Sequence, residues 1–229
     1  MVSELNIEAI AAKLKPYVLP AAVGRLRRKK QDLEEPTSCY GGTFWGKRRE
    51  AWPECNGRPM IPLVQLRSGE LPVKPAALKG VALLAVFIDE DVPVEAVTGE
   101  DSSLVVREYA RLTSLRPLEM PRGTKGRKHS RIEWRKVDDY PDGEDLFMIL
   151  SDEEATWVEE SESSPFTHHE TLKIGGWPTA LQVSIARGKP DNPYVMQVDS
   201  DYNHSFGDSG MLFLRRSRGK SWYSLWETL

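Results

Sequence analysis

The chain has 229 residues, with 31 Lys+Arg against 34 Asp+Glu and a net charge of −3. That length accommodates one large domain or two small ones, and it can bury a core without a metal or disulfide staple. Balanced charge argues against nucleic acid as a partner, two Cys exclude a disulfide scaffold or four-Cys zinc site, and 40% hydrophobic residues exclude a disordered chain.

Ser3 to Leu14 predicts a short amphipathic helix. Ser3 stands at the cap position, and Leu5, Ala9, Ile10 and Leu14 recur near helical spacing. The start has no basic region leading into an apolar one, so it does not read as a secretory signal. No apolar run reaches the roughly 18 residues of a membrane span. A cytoplasmic location without membrane contact is expected, and there Cys39 and Cys55 are expected to be free thiols. Ala21 to Glu35 reads as a second helix. Its basic block, Arg25 and Arg27 to Lys30, precedes Asp32, Glu34 and Glu35. Residues 1–35 are therefore expected to form an N-terminal helical segment, and 36–229 a β-rich domain.

Glycines, prolines and short apolar runs take over at Pro36. Met60–Leu66, Val81–Ile88 and Leu104–Tyr109 predict strands, the second buried on both faces. Arg111 to Tyr140 reads as a long surface loop opening a charged insert at about 111–162. Its basic residues, among them Arg122, Arg127, Lys128, Arg131, Arg135 and Lys136, precede Asp138, Asp139, Asp142, Glu144, Asp145 and further carboxylates. Leu146–Leu150 predicts a short strand within the acids. This polarity fits either a self-neutralising solvated surface or a docking face for a charged protein, with Arg127, Arg131, Asp138 and Asp139 as candidate contacts. Leu172–Ile174, Leu181–Ile185, Tyr194–Val198, Met211–Arg215 and Trp222–Trp226 predict further strands. The fold class is mainly β (α+β). Regular βα alternation is missing, which argues against a Rossmann or barrel enzyme.

Two stretches echo each other. Tyr40–Gly41–Gly42, Trp52–Pro53, Leu63–Val64–Gln65–Leu66 and Leu83–Leu84–Ala85–Val86–Phe87 are followed later by Ile174–Gly175–Gly176, Trp177–Pro178, Val195–Met196–Gln197–Val198 and Met211–Leu212–Phe213–Leu214. Such an echo predicts two pseudo-symmetric halves. Gln65 and Gln197 are polar sites within apolar runs. If buried, their amides need partners, from the main chain or from each other.

These fragments, in this order and with Gly57–Arg58–Pro59, Gly69–Glu70–Leu71–Pro72 and Phe206–Gly207–Asp208–Ser209–Gly210, resemble the YwqG-like family over roughly positions 36 to 216. The resemblance implies a bacterial protein with an internally duplicated β-roll and no established biochemical activity. It also implies a suspected immunity or antitoxin-like role. The sequence departs from the family pattern near Pro59–Met60–Ile61–Pro62 and in the charged middle.

Gly207–Asp208–Ser209–Gly210 resembles a serine-nucleophile turn, but Met211 replaces the final Gly of the nucleophile elbow. Asp199, Asp201, His204 and Asp208 carry oxygen and nitrogen donors suited to a divalent metal, without EF-hand spacing. His168 and His169 are adjacent, so in an extended segment they point to opposite faces. Trp45 and Trp52 flank charged residues and are candidate groove walls, with Trp177, Gln65 and Gln197 as further binding candidates. No catalytic set or cofactor is expected. The expected function is non-catalytic binding of a protein partner, with a bacterial toxin as the candidate. The alternative is a metal- or small-ligand-binding protein, or a hydrolase, using the Asp199–Asp208 loop.

Overall fold

Among the described residues helices are short pieces, because most of the apolar sequence carries strand spacing. The computed structural model describes residues 6–89, 95–97, 103–124, 126–166, 172–179, 194–199, 210–219 and 221–228. Helix α1 (Ile7–Leu14) begins at Asn6, whose Oδ1 accepts the Ala9 N–H at 3.1 Å. Ser3, the expected cap, lies outside the described residues.

In chain order follow β1 (Leu19–Arg27), β2 (Cys39–Tyr40), β3 (Trp45–Lys47), β4 (Glu54–Cys55), β5 (Arg58–Pro59) and β6 (Ile61–Arg67). Then come β7 (Leu83–Ile88), β8 (Glu95–Val97), β9 (Leu104–Tyr109), β10 (Leu115–Pro117) and β11 (Ser130–Asp139). Helices α2 (Glu144–Phe147) and α3 (Asp152–Glu160) precede β12 (Leu172–Gly175), β13 (Tyr194–Asp199), β14 (Gly210–Arg216) and β15 (Trp222–Thr228).

Among the described residues, one antiparallel sheet of 11 strands dominates, in the order β8-β15-β14-β13-β12-β1-β11-β2-β6-β7-β9. It curls until its two ends nearly meet. Glu108 on β9 receives Arg216 Nη2 at 2.6 Å and Trp222 Nε1 at 2.7 Å, so one carboxylate ties β9 to β14 and β15. The enclosed core includes Leu63, Val64, Val86, Ile132, Ile174, Met196, Leu212 and Trp222. Trp226, four residues after Trp222, packs against the same cluster. A second cluster under β3 and β10 includes Phe44, Trp45, Met60, Phe87 and Leu115.

The pair β1/β11 lies at the centre of the sheet, and two arms leave it with matching registers. In one arm Gln65 stands opposite Cys39 and Ala85. In the other, Gln197 stands opposite Lys173 and Phe213. A register shift falls between Pro62 and Val64 in one arm, and between Tyr194 and Met196 in the other. Gly41, Gly42, Gly175 and Gly176 all have positive φ, between 59° and 77°. A side chain at Gly42 would strike Gln31 and His129, and one at Gly176 would strike Asp139 and Ala21.

The expected strands at 60–66, 81–88, 104–109, 172–174, 194–198, 211–215 and 222–226 form, with small boundary shifts. The expected strand at 181–185 lies outside the described residues. Three expectations are corrected. The second helix does not form: Leu19–Arg27 is strand β1, and the N-terminal helical segment gives way to the sheet after Tyr17. Gly24 explains the choice, because it is pressed between Ile132, Leu172 and Trp134, with room for no Cβ. The long loop at 111–140 contains β10 and β11. In β11 buried Ile132 and half-buried Trp134 alternate with Arg131, Glu133 and Arg135, so one face meets the core and the other takes the charge. Finally, Leu146–Leu150 is not a strand but the α2 turn and its exit, preceded by Gly143 and followed by the Ser151 cap of α3.

Candidate functional site

The acidic half of the charged segment is built by two short helices. Ser151 accepts the Glu154 N–H, and the Glu154 carboxylate accepts the Ser151 N–H at 3.0 Å, forming a capping box. Asp152, Glu153 and Glu154 fill the first turn of α3, where the helix dipole favours negative charge. Leu146, Leu150, Ala155, Val158 and Phe166 turn inward and pack with Ile10 and Leu14 of α1. Lys13 of α1 donates to both Glu154 oxygens at 2.7 Å, joining the helices by charge as well. The Lys13 and Ser151 bonds hold the Glu154 carboxyl below its ordinary pKa, and burial pushes that of Glu159 up.

Once Leu146 and Leu150 are committed to this core, their neighbours face water. Met148 is 85% exposed and Phe147 42% exposed. Ile7 and Tyr17, on the adjoining N-terminal turns, are also exposed apolar side chains. Phe147 and Met148 thus form an exposed apolar pair flanked in sequence by Glu144, Asp145, Asp152 and Glu153. The sequence reading missed Phe147 and Met148 because it placed them in a buried strand. The missed signal was the spacing of Leu146 and Leu150, four residues apart, which marks one helix face and leaves the intervening residues outside.

The other candidates sit as follows. Arg131 reaches Glu70 at 2.9 Å, and half-buried Arg127 stands over the Tyr40 ring at 5.9 Å. Asp138 is exposed on β11, whereas Asp139 is buried. Trp45 is buried in the second cluster. Trp52 contacts Phe87 edge-on and donates its Nε1–H to the Met60 carbonyl at 2.9 Å. Trp177 donates its Nε1–H to the Tyr17 carbonyl at 2.8 Å, closing the N-terminal turn over the sheet. These three indoles act as packed plates, and Trp52 and Trp177 satisfy their N–H groups with main-chain carbonyls.

Gln65 and Gln197 are fully buried and use their amide oxygens alike. Gln65 Oε1 accepts the Trp45 N–H at 2.7 Å, and Gln197 Oε1 accepts the Thr179 N–H at 2.9 Å. Gln65 also donates to the Thr37 carbonyl at 2.8 Å. Each therefore pins the segment after a glycine pair to its own arm. A second shared contact lies beside them. Thr43 N–H donates to Gln31 at 2.8 Å, and Trp177 N–H donates to Asp139 at 2.7 Å. Where the first arm has Gln31 and Cys39, the second has Asp139 and Lys173. Lys173 Nζ lies 3.1 Å from Asp139 Oδ2 and donates to Thr179 Oγ1 at 3.1 Å. Tyr194 donates to Gln197 Oε1 at 3.2 Å, and burial beside Asp139 pushes its phenol well above the ordinary value.

Both thiols are free and buried. Burial pushes the Cys39 pKa up to about 12, which keeps it protonated and unreactive at neutral pH. Asp199 closes β13 opposite Met211. Asp201, His204 and Asp208, the rest of the metal set, lie outside the described residues, as do His168, His169 and Ser209. Among the described residues no group of three or more His, Cys, Asp and Glu stands close enough to hold a metal. Among those residues no helix is long and apolar enough to cross a membrane.

No protein-family model matches the chain, and no curated protein matches it.

Proposed function

We propose that the protein is a non-catalytic protein-binding scaffold of the YwqG-like type, duplicated about the β1/β11 pair. Support for the duplication comes from the matched registers, the matched register shifts and the two glutamine-to-main-chain bonds. The partner docks on the α2–α3 face. Exposed Met148 and Phe147 inside an acidic frame carry this reading. A large apolar side chain left in water among charges has the composition of an interface centre with a polar rim. The carboxylates select a basic partner surface and speed encounter, while the apolar pair supplies the buried contact. A toxin neutralised by coverage of its basic active surface is one such partner, and on this reading the protein acts as an immunity-type inhibitor in the bacterial cytoplasm.

The test uses the protein encoded beside this one in its genome. Titration calorimetry should give a one-to-one complex. The Phe147→Ser/Met148→Asp double variant should weaken it at least about a hundredfold with an unchanged circular dichroism spectrum. Unchanged affinity would exclude the α2–α3 face, and an absent complex would remove the immunity reading.

A further inference from the structure

The centre of the sheet ends differently on its two sides. At the Leu19/Asp139 end of β1/β11, Trp177 and the Tyr17 carbonyl cover the strands. At the Arg27/Arg131 end no such cover forms among the described residues. Instead, the segment leaving β1 and the segment entering β11 diverge around an open groove of about 740 Å³. Arg28, Lys29 and Lys30 line one side, and Gly126, Arg127, Lys128 and His129 the other. Two basic runs about a hundred positions apart in the chain are thus brought together by the β1/β11 register. No acidic side chain stands among the described lining residues. Lys29, Lys30 and Lys128 are exposed. The His129 Nδ1 donates to the Lys29 carbonyl at 2.8 Å, which fixes one wall to the other.

We infer that this groove binds a short polyphosphate chain, either free or as the tail of a nucleotide. Five Lys and Arg side chains converge on a volume suited to a small molecule. In a chain of net charge −3 such a concentration is local, and it calls for a ligand equally concentrated in charge. A phosphate group carries up to about two charges and three acceptor oxygens, more than a carboxylate offers in the same space. Arginine supplies a planar fork for phosphate oxygens, and lysine a movable point charge. The groove also limits ligand length. Asp32, Glu34 and Glu35 come just after Lys30 and Gln31 and are exposed, so a long nucleic-acid backbone running past the groove meets repulsion. No aromatic ring other than His129 is among the described lining residues, so base stacking adds little.

The full-length protein should be titrated with inorganic tripolyphosphate at about 50 mM salt, where charge-driven binding is strong. One site is expected, weakening at least about tenfold when salt rises to about 200 mM. Lys29→Gln/Lys128→Gln should lower affinity at least about tenfold with an unchanged melting temperature. Lys74→Gln/Lys79→Gln, which removes two exposed lysines outside the groove, should leave affinity unchanged. ATP binding within about threefold of tripolyphosphate is expected if the phosphate chain alone is read. Much tighter ATP binding would assign the site to a nucleotide tail rather than free polyphosphate. The inference fails if tripolyphosphate does not bind, or if the Lys29/Lys128 variant binds as well as the wild type. It fails equally if a polyglutamate peptide or single-stranded oligonucleotide of matched charge binds more tightly.

Discussion

Burying Lys173 and Asp139 together takes two charges out of water, and only close pairing and further hydrogen bonds offset that cost. Both side chains are about 2% exposed, and Thr179 and the Trp177 N–H supply the further bonds. Removing one partner is therefore worse than removing both. Lys173→Met should destabilise the fold by about 3–5 kcal/mol, because it leaves Asp139 buried without its cation. Adding Asp139→Gln, which copies the neutral Gln31 of the other arm, should recover a large part of that loss. Denaturant midpoints of the single and double variants give the comparison; equal loss in both would show that the pair contributes only through packing.

Elements differ in how openly their sequence announces them. The strands β6, β7, β9, β13 and β14 were legible because apolar, β-branched runs have no helical spacing. The buried glutamines were legible as sites needing partners, although the identity of those partners required the sheet register. The central strands were not legible. In β1 the Ala–Ala–Val–Gly run followed by arginines mimics a basic helix, and only the close packing of Gly24 against Ile132 decides otherwise. In β11 the period-two pattern was present, but prolines and glycines upstream hid it. The candidate site was half legible: the charge polarity stood in the sequence, but the apolar pair emerges only when Leu146 and Leu150 are placed in the helical core.

Helix α3 makes stability depend on pH. Burial and the nearby Asp142 carboxylate raise the Glu159 pKa above its ordinary 4.5. The folded state therefore holds that proton to higher pH than the unfolded chain, and stability falls as pH rises through this window. Glu159→Gln removes the loss. It should raise the melting temperature at pH about 7 and lose that advantage below pH about 4. A gain that persists undiminished in acid would mean that the substitution acts through packing or helix propensity.

For the whole molecule, the decisive question is what keeps so long a sheet curled. Hydrogen bonds run between successive strands, yet among the described residues β9 ends the order on one side without a strand paired beyond it. The seam is closed by side chains instead. Glu108 accepts from both Arg216 and the Trp222 indole, and Arg216 also donates to the Ala77 carbonyl and lies over the Trp222 ring at 5.5 Å. On the other side β8, which belongs in sequence to the β7–β9 connection, pairs with β15 and crosses the same gap. Glu108→Ala takes the common acceptor from an arginine that is only 10% exposed and from a buried indole. A loss of about 2–4 kcal/mol is expected, since a charged hydrogen bond is broken and its buried donors are left without their acceptor. The location of the effect matters more than its size. Amide hydrogen exchange should quicken first in β9 and β15, while β1 and β11 at the sheet centre keep most of their protection. Uniform loss across all strands would instead show that the seam and the centre open as one cooperative unit, with curvature set by the packed core rather than by Glu108.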